Sequence, residues 1–175
     1  GRSVETSMGF TPLEGLVMAT RSGDLDPGVL LHLLRAGRRP EELDELLTRH
    51  SGLLGMAGSA DMRHVLSAEA AGDPRAALAV AVFVRRIVTT LGAYLTLLEG
   101  HGAVVFGGGI GTGSAEIRAR VAQGLRAWNV ELDPERNRSG AMGRISRPES
   151  RSVYVFHTDE EREIARATAR VLETG

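Results

Sequence analysis

The residues most clearly suited to binding a ligand form a glycine-rich segment that follows a short apolar stretch. Residues 103–106 are apolar and mostly β-branched or aromatic, a run of glycines begins at Gly107, and further glycines stand at Gly111 and Gly113. Ser114 is a suitable cap for the helical pattern that comes next. A strand, a glycine loop and a helix present backbone N–H groups to a phosphate or a ribose, because no side chain holds the ligand away. We therefore expect a ligand-binding loop, the alternative being a tight turn without a ligand.

Two common nucleotide-binding loops do not match this segment. A P-loop needs a lysine after its last glycine, and all 21 lysine-or-arginine positions of this chain are arginine. The dinucleotide fingerprint fails because its third glycine or alanine would fall on Ser114. The acidic residue that should follow about 20 positions later has only a loose counterpart in Asp133. The glycine segment is therefore expected to be a nucleotide-binding loop of another kind.

A second candidate for chemistry is Arg21, which stands in the sequence RSGDLDP close to Asp24 and Asp26. An arginine beside two carboxylates in a loop with glycine and proline is compatible with a salt-bridged turn or with a functional site. Because surface ion pairs are common and weak, the residues alone favour the turn.

Composition limits the classes of function. With 175 residues the chain suits one domain or one half of a larger enzyme, and a net charge of −1 gives no electrostatic footprint for nucleic acid. The absence of cysteine excludes disulfides and thiolate metal sites. The longest strongly apolar run, residues 76–84, is too short to span a bilayer. No signal peptide is evident, so we expect a cytoplasmic protein without a membrane partner.

Periodicity and capping residues predict alternating helices and strands. Strands are expected at residues 1–10, 103–106, 128–133 and 152–156. Helices are expected at 27–35, 41–50, 74–99, after Ser114 and at 158–172, with Asp61 at the entry of another and a loop at 51–60. Long connections that contain helices favour a mainly parallel sheet flanked by helices. The helix at 74–99 is apolar nearly all round, which is typical of a helix that is buried on both sides or packs against a second subunit.

Five stretches, in this order, resemble the acetate kinase (acetokinase) family and span nearly the whole chain: GRSVETSMGFTPLEGL, TRSGDLDPG, SGLLGMAGSADMR, VVFGGGIG and HTDEE. The resemblance implies a ribonuclease-H-like (actin-like ATPase) α/β fold with a mixed, mainly parallel sheet. It also implies that residues 1–175 are the C-terminal nucleotide-binding and dimerisation domain of a homodimeric kinase. Such an enzyme makes acetyl phosphate from acetate and ATP, with Mg²⁺ or Mn²⁺ as the metal.

The resemblance also implies roles for individual residues. Arg21 matches the catalytic arginine, Pro12 matches a wall of the acyl pocket, and Glu160 matches the carboxylate that binds magnesium. A planar, permanently charged guanidinium suits both a carboxylate and a transferring phosphoryl group. The positions that match the ATP-binding residues are Asp61, Met62, Arg63, Gly109, Ile110, Gly111, Thr112 and Gly113.

The chain departs from the family pattern in two places and lacks part of it. The family's G-I-G-E-N reads GIGTG here, and its P-T-N-E-E reads HTDEE. The N-terminal domain with its H-L-G-N-G loop, catalytic histidine, an aspartate, a second arginine and a metal-binding asparagine would precede Gly1. We therefore expect the isolated chain to be inactive. Acetate, propionate and butyrate remain open as substrates, and the alternative class of function is a non-catalytic ATP-binding dimerisation module.

Overall fold

The computed structural model describes residues 2–99 and 101–174, and the chain divides into two compact units. Unit 1 comprises residues 1–101 and unit 2 comprises residues 102–175. The expectation that residues 1–175 act as one C-terminal domain stays a prediction.

All the regular secondary structure described in unit 1 is helical. Its helices are α1 (Pro27–Arg35), α2 (Pro40–Arg49), α3 (Gly52–Ala57), α4 (Met62–Ala70) and α5 (Pro74–Leu97). The predicted cap of α5 is confirmed, since the Asp73 side chain accepts hydrogen bonds from backbone N–H groups of its first turn. The Asp26 and Asp61 side chains do the same for α1 and α4, although the sequence pattern did not predict them as caps. The core lies where α5 packs on α3 and α4, and its most buried side chains are Leu53, Val65, Ala76, Ala79 and Val80.

Two predictions for unit 1 are wrong. Residues 2–10 form no strand, and residues 2–6 are exposed, so the alternating pattern there has no sheet to pair with; Gly1 lies outside the described residues. The expected loop at 51–60 contains helix α3. Glycine is a poor helix former, but the Arg75 guanidinium of α5 donates to the carbonyls of Met56 (3.0 Å) and Gly55 (3.4 Å) and so caps the C-terminal end of α3.

Helix α5 is longer than the nine-residue apolar run within it. By length and composition it is one helix that could cross a membrane, although only 22% of its most apolar 18-residue window is buried within the chain. Core helices of soluble proteins meet the same criteria, so this is weak evidence for a membrane span.

Unit 2 contains a small mixed sheet with helices, as predicted from the family resemblance. Its elements are β1 (Val104–Phe106), α6 (Gly108–Gly113), α7 (Ala115–Gly124), a 3₁₀ turn (Arg126–Trp128), α8 (Pro134–Arg138), β2 (Gly143–Arg144), β3 (Val153–Val155) and α9 (Glu160–Thr174). The strand order is β1-β3-β2, with β1 parallel and β2 antiparallel to the central β3. The most buried side chains belong to Ile117, Val121, Leu125, Val130, Ile145, Val153 and Val155.

Three details of unit 2 differ from the prediction. Residues 128–133 form no strand, because Asn129 adopts a left-handed conformation (φ 57°) and only Leu132 pairs, in an isolated bridge with Ser146. The expected glycine loop is the short helix α6. The sequence Thr158 to Glu161 predicts a capping box with Thr158 as the cap of α9, but the capping acceptor is the Asp159 carboxylate, to which the Arg162 N–H donates at 3.0 Å.

Candidate functional site

Two parallel strands bring the glycine segment and the HTDEE segment to one edge of the sheet in unit 2. Strands β1 and β3 pair in register from Val104 with Val153 to Phe106 with Val155, so their carboxyl ends lie side by side. A Cβ on Gly107 would stand 3.2 Å from the methyl group of Thr158. In open α/β sheets, ligands bind outside the carboxyl ends of the strands. The predicted nucleotide segment and Glu160 therefore emerge from adjacent strand ends.

Helix α6 exposes bare backbone. Outside the adjoining residues and the helix's own backbone, a Cβ added at Gly108, Gly109 or Gly113 would meet no heavy atom within 4 Å, so a ligand can approach the main chain closely there. The Thr112 hydroxyl donates to the carbonyl of Gly108 at 2.7 Å, which places it in the helix's own hydrogen bonding. Contacts from this helix to a ligand would therefore come mainly from backbone and from Ile110.

A buried arginine that the sequence did not single out lies beneath this helix. Arg118 of α7 is 3% exposed, and its guanidinium donates to the carbonyls of Gly111 (2.9 Å) and Thr112 (2.8 Å). It also donates to the side-chain oxygen (2.8 Å) and the carbonyl (2.7 Å) of Asn137. Burial lowers the pKa of Arg118, but arginine's ordinary value is so high that the group stays charged. In the sequence, Arg118 stands among the apolar positions of a helical pattern, and nothing there indicates that its side chain bonds to another helix.

Glu160 is exposed at the start of α9. Within residues 2–99 and 101–174 there is no group of three or more His, Cys, Asp or Glu side chains that could hold a metal ion. A single exposed carboxylate still fits Mg²⁺, which is commonly bound by one or two carboxylates together with substrate phosphates and water. Glu160 can thus supply one hard oxygen ligand.

In unit 1, the loop that carries Arg21 is fixed through its backbone. The N–H groups of Leu53 and Leu54 donate to the carbonyls of Met18 and Ala19, and the N–H of Ser22 donates to the carbonyl of Leu47. The Arg21 side chain is half-buried, and its recorded polar contact is a weak one from Nη1 to the Met18 sulfur at 3.9 Å. No ion pair among the described residues includes Arg21.

The two carboxylates near Arg21 have other partners. Asp24 accepts from the Gly15 N–H at 2.6 Å and Asp26 accepts from the Gly28 N–H at 2.8 Å. The Asp24 N–H returns a bond to the Gly15 carbonyl at 3.0 Å, and Arg86 of α5 donates to the Asp24 carbonyl at 3.0 Å. The salt-bridged turn weighed from the sequence is therefore absent from these contacts. Asp24 instead joins the Arg21 loop to the loop of Pro12, which is exposed.

The Asp61–Arg63 segment forms the entry of α4. Asp61 accepts from the Arg63 N–H at 2.9 Å and also pairs with the Arg63 guanidinium through both carboxylate oxygens. These bonds lower the pKa of Asp61 well below its ordinary value and raise that of Arg63. The Met62 side chain is 4% exposed and belongs to the core of unit 1. Only the Asp61–Arg63 pair thus offers side-chain groups at the surface.

Comparison with known proteins identifies the class to which these features belong. The model of the acetokinase family matches residues 1–166. Acetate kinase from Pseudarthrobacter chlorophenolicus is 53% identical over 178 residues, which cover 100% of this chain and 46% of that protein. Among solved structures, acetate kinase from Porphyromonas gingivalis superimposes with a TM-score of 0.87 at 40% identity, covering 95% of this chain and 43% of that one. A propionate kinase from Francisella tularensis gives a TM-score of 0.84 at 37% identity, covering 89% and 40% of the two chains.

The chain belongs to the acetokinase family, a family of kinases with an actin-like ATPase fold. It spans about half the length of the curated relatives it matches, and the part matched is the C-terminal one. The fold predicted from the motifs is confirmed.

Proposed function

We propose that this chain is the C-terminal half of an ATP:acetate phosphotransferase. A carboxylate oxygen of acetate attacks the γ-phosphorus of ATP, the bond between that phosphorus and the β,γ-bridging oxygen breaks, and acetyl phosphate and ADP leave. Positioning and charge stabilisation supply most of the catalysis in such transfers. The complete enzyme, as used below, means this chain joined to the N-terminal half that its relatives possess.

The observation that carries the proposal is the adjacency of the glycine helix and the HTDEE segment at the carboxyl ends of β1 and β3. In the proposed enzyme, residues 109–113 lie against the adenosine. A role in ATP binding is also proposed for Asp61 and Arg63. Met62 could contribute only through its backbone, since its side chain is buried. Glu160 would hold Mg²⁺, which when bound neutralises charge on the phosphates.

Arg21 is proposed to hold the carboxylate and to stabilise negative charge on the transferring phosphoryl group, and Pro12 to contact the acyl methyl. The lack of an ion-pair partner for Arg21 among the described residues supports this role, because its guanidinium remains available for an anion. A homodimer that forms through unit 1 completes the proposal.

The test is acyl phosphate formation by the complete enzyme, trapped with hydroxylamine as the hydroxamate. We expect turnover with ATP and acetate that depends on Mg²⁺. Propionate is the second candidate substrate, because a propionate kinase is among the similar structures; the ratio of kcat/KM for the two acids decides between them. A protein that binds ADP but shows no turnover with any short carboxylate would favour the non-catalytic ATP-binding module.

A further inference from the structure

We propose that Arg118 is the positioning residue that holds the glycine helix α6 in the shape that receives an adenine nucleotide. This inference rests on the function proposed above. Arg118 is 3% exposed, so it acts through the helix and does not touch the ligand itself.

The guanidinium satisfies carbonyls that the helices leave without partners. The last carbonyls of any helix lack N–H partners within it. Nη1 of Arg118 donates hydrogen bonds to the carbonyls of Gly111 and Thr112 at the end of α6, at 2.9 and 2.8 Å. Nη2 donates to the carbonyl of Asn137 in the last turn of α8 at 2.7 Å, and Nε donates to the Asn137 side-chain oxygen at 2.8 Å. One side chain therefore caps two helices and ties them together.

Helix α6 depends on this support because its own sequence resists helix formation. Four of its six residues, GGIGTG, are glycine, which is among the poorest helix formers. The Asn137 side chain completes the arrangement by donating to the carbonyl of Ala115 at 2.9 Å, at the start of α7. A positive charge at the C-terminal end of a helix is also favoured by the helix dipole. The sequence can thus keep glycines for close ligand approach while an outside group fixes their conformation.

Lysine cannot replace this arginine. The four acceptors lie in different directions around a planar fork, whereas an ammonium presents three donors from one nitrogen. Arg120, two residues further along α7, is a matched control, because its Nε pairs with Glu116 on the same helix at 2.8 Å.

The experiment measures steady-state constants of the complete enzyme carrying Arg118→Lys, Arg118→Ala or Arg120→Ala. We expect both Arg118 variants to raise KM for ATP about 10- to 100-fold, the range typical for loss of a group that orients ligand-binding residues. KM for acetate should change less than about 2-fold, because the proposed carboxylate residues stand in other loops. Methylguanidinium should lower KM for ATP again in Arg118→Ala, and Arg120→Ala should behave like the parent enzyme.

The results separate this inference from the proposed function. A parent enzyme without turnover would refute the proposed function. An active parent whose Arg118 variants keep a normal KM for ATP, or raise both KM values equally, would overturn the positioning role. If neither Arg118 variant folds, Asn137→Ala tests the same link by removing the Nε acceptor while leaving the bonds to Gly111 and Thr112. It should raise KM for ATP to a smaller extent, and an unchanged value would refute the inference.

Discussion

Arg21 is held in place by its loop, so its guanidinium is free for a ligand as far as the described contacts show. The backbone bonds of Met18, Ala19 and Ser22 would persist without the side chain. Asp24 and Asp26, the expected ion-pair partners, bind backbone N–H groups instead. A functional role and a structural role therefore make opposite forecasts.

We predict that Arg21→Ala and Arg21→Lys lower kcat of the complete enzyme by about 10²–10³, the usual cost of removing a donor aimed at developing charge. Lysine should not restore activity because it lacks the planar fork. Melting temperatures should stay within a few degrees of the parent, and Arg38→Ala, an exposed change in the turn after α1, serves as control. Near-normal kcat in Arg21→Lys, or a large fall in melting temperature with normal kcat, would rule out the catalytic role.

Asp61 offers a prediction on pH. Its pairing with Arg63 lowers its pKa in the folded state, so the stabilisation is complete above the unfolded value of about 3.9 and is lost as the pH falls through the lower folded value. Asp61→Asn keeps a capping side chain but loses the ion pair. The difference in free energy of unfolding between parent and variant should be constant from about pH 8 to 5.5 and shrink below about pH 4. Urea unfolding of the chain at several pH values measures it; a difference that grows in acid would contradict the assignment.

At the scale of elements, α3 and α6 share one design. Both are six-residue, glycine-rich helices that their own sequences would not predict, and in both an arginine from another helix donates to the last carbonyls. Arg75 does so for α3 and Arg118 for α6. Tertiary hydrogen bonds thus decide the conformation where local propensity points to loop.

Gly52 tests how tightly α3 is joined to the Arg21 loop. It has φ 62°, and a Cβ there would stand 2.2 Å from the Met18 carbonyl oxygen. Gly37 has φ 89° with nothing within 4 Å of its Cβ position. We expect Gly37→Ala to lower the free energy of unfolding by about 1–2 kcal/mol through backbone strain alone. Gly52→Ala should cost on the order of 3 kcal/mol or more, because the clash adds to the strain.

Denaturant unfolding of both variants provides the comparison. Equal losses would mean that the loop shifts to accommodate the methyl group.

The sequence predicted the elements whose ends carry their own signals. Asp73 caps α5 and Ser114 caps α7 as expected. The strands β1 and β3 form at the predicted apolar runs, with Val104, Val153 and Val155 buried. The strand expected at 128–133 failed because one left-handed residue, Asn129, ends the extended backbone. The glycine segment was recognised as the place for a ligand, but Arg118 was not, since a buried arginine is defined by four acceptors that come together only in the fold.

At the scale of the whole molecule, α5 leaves apolar surface uncovered. Leu78 is 60% exposed and Leu97 is 54% exposed, and Leu91 is half-buried. We propose that a second copy covers this helix in a symmetric dimer, with α5 at or directly beneath the self-complementary interface.

We predict that Leu91→Arg shifts the complete enzyme from dimer to monomer at micromolar concentration, because a buried unpaired charge is costly at an interface. Sedimentation velocity measures the change. Leu31→Arg, at a 51% exposed position of α1, is the control and should leave the dimer intact. A parent protein that is monomeric, or a Leu91→Arg protein that remains dimeric, would exclude this interface.

We also predict that residues 1–175 alone form no acyl phosphate from ATP and acetate. The family resemblance implies a catalytic histidine and a phosphate loop in the part of the relatives that this chain does not span, and transfer depends on positioning all groups together. Hydroxamate trapping with the isolated chain measures this, with the complete enzyme as the positive control. Turnover by the isolated chain above the background without protein would show that these residues suffice.

The recurrent use of arginine on backbone carbonyls has a further consequence. Main-chain oxygens accept hydrogen bonds from Arg75, Arg86, Arg118, Arg144 and Arg151, and the chain has no lysine that could take this role. An enzyme that makes an acyl phosphate releases an acylating agent beside its own surface. A lysine amine acylated in this way loses its charge, whereas a guanidinium stays protonated and is a poor nucleophile. The arginine side chains that bond to the backbone are therefore unreactive toward the acyl phosphate that the enzyme is proposed to make.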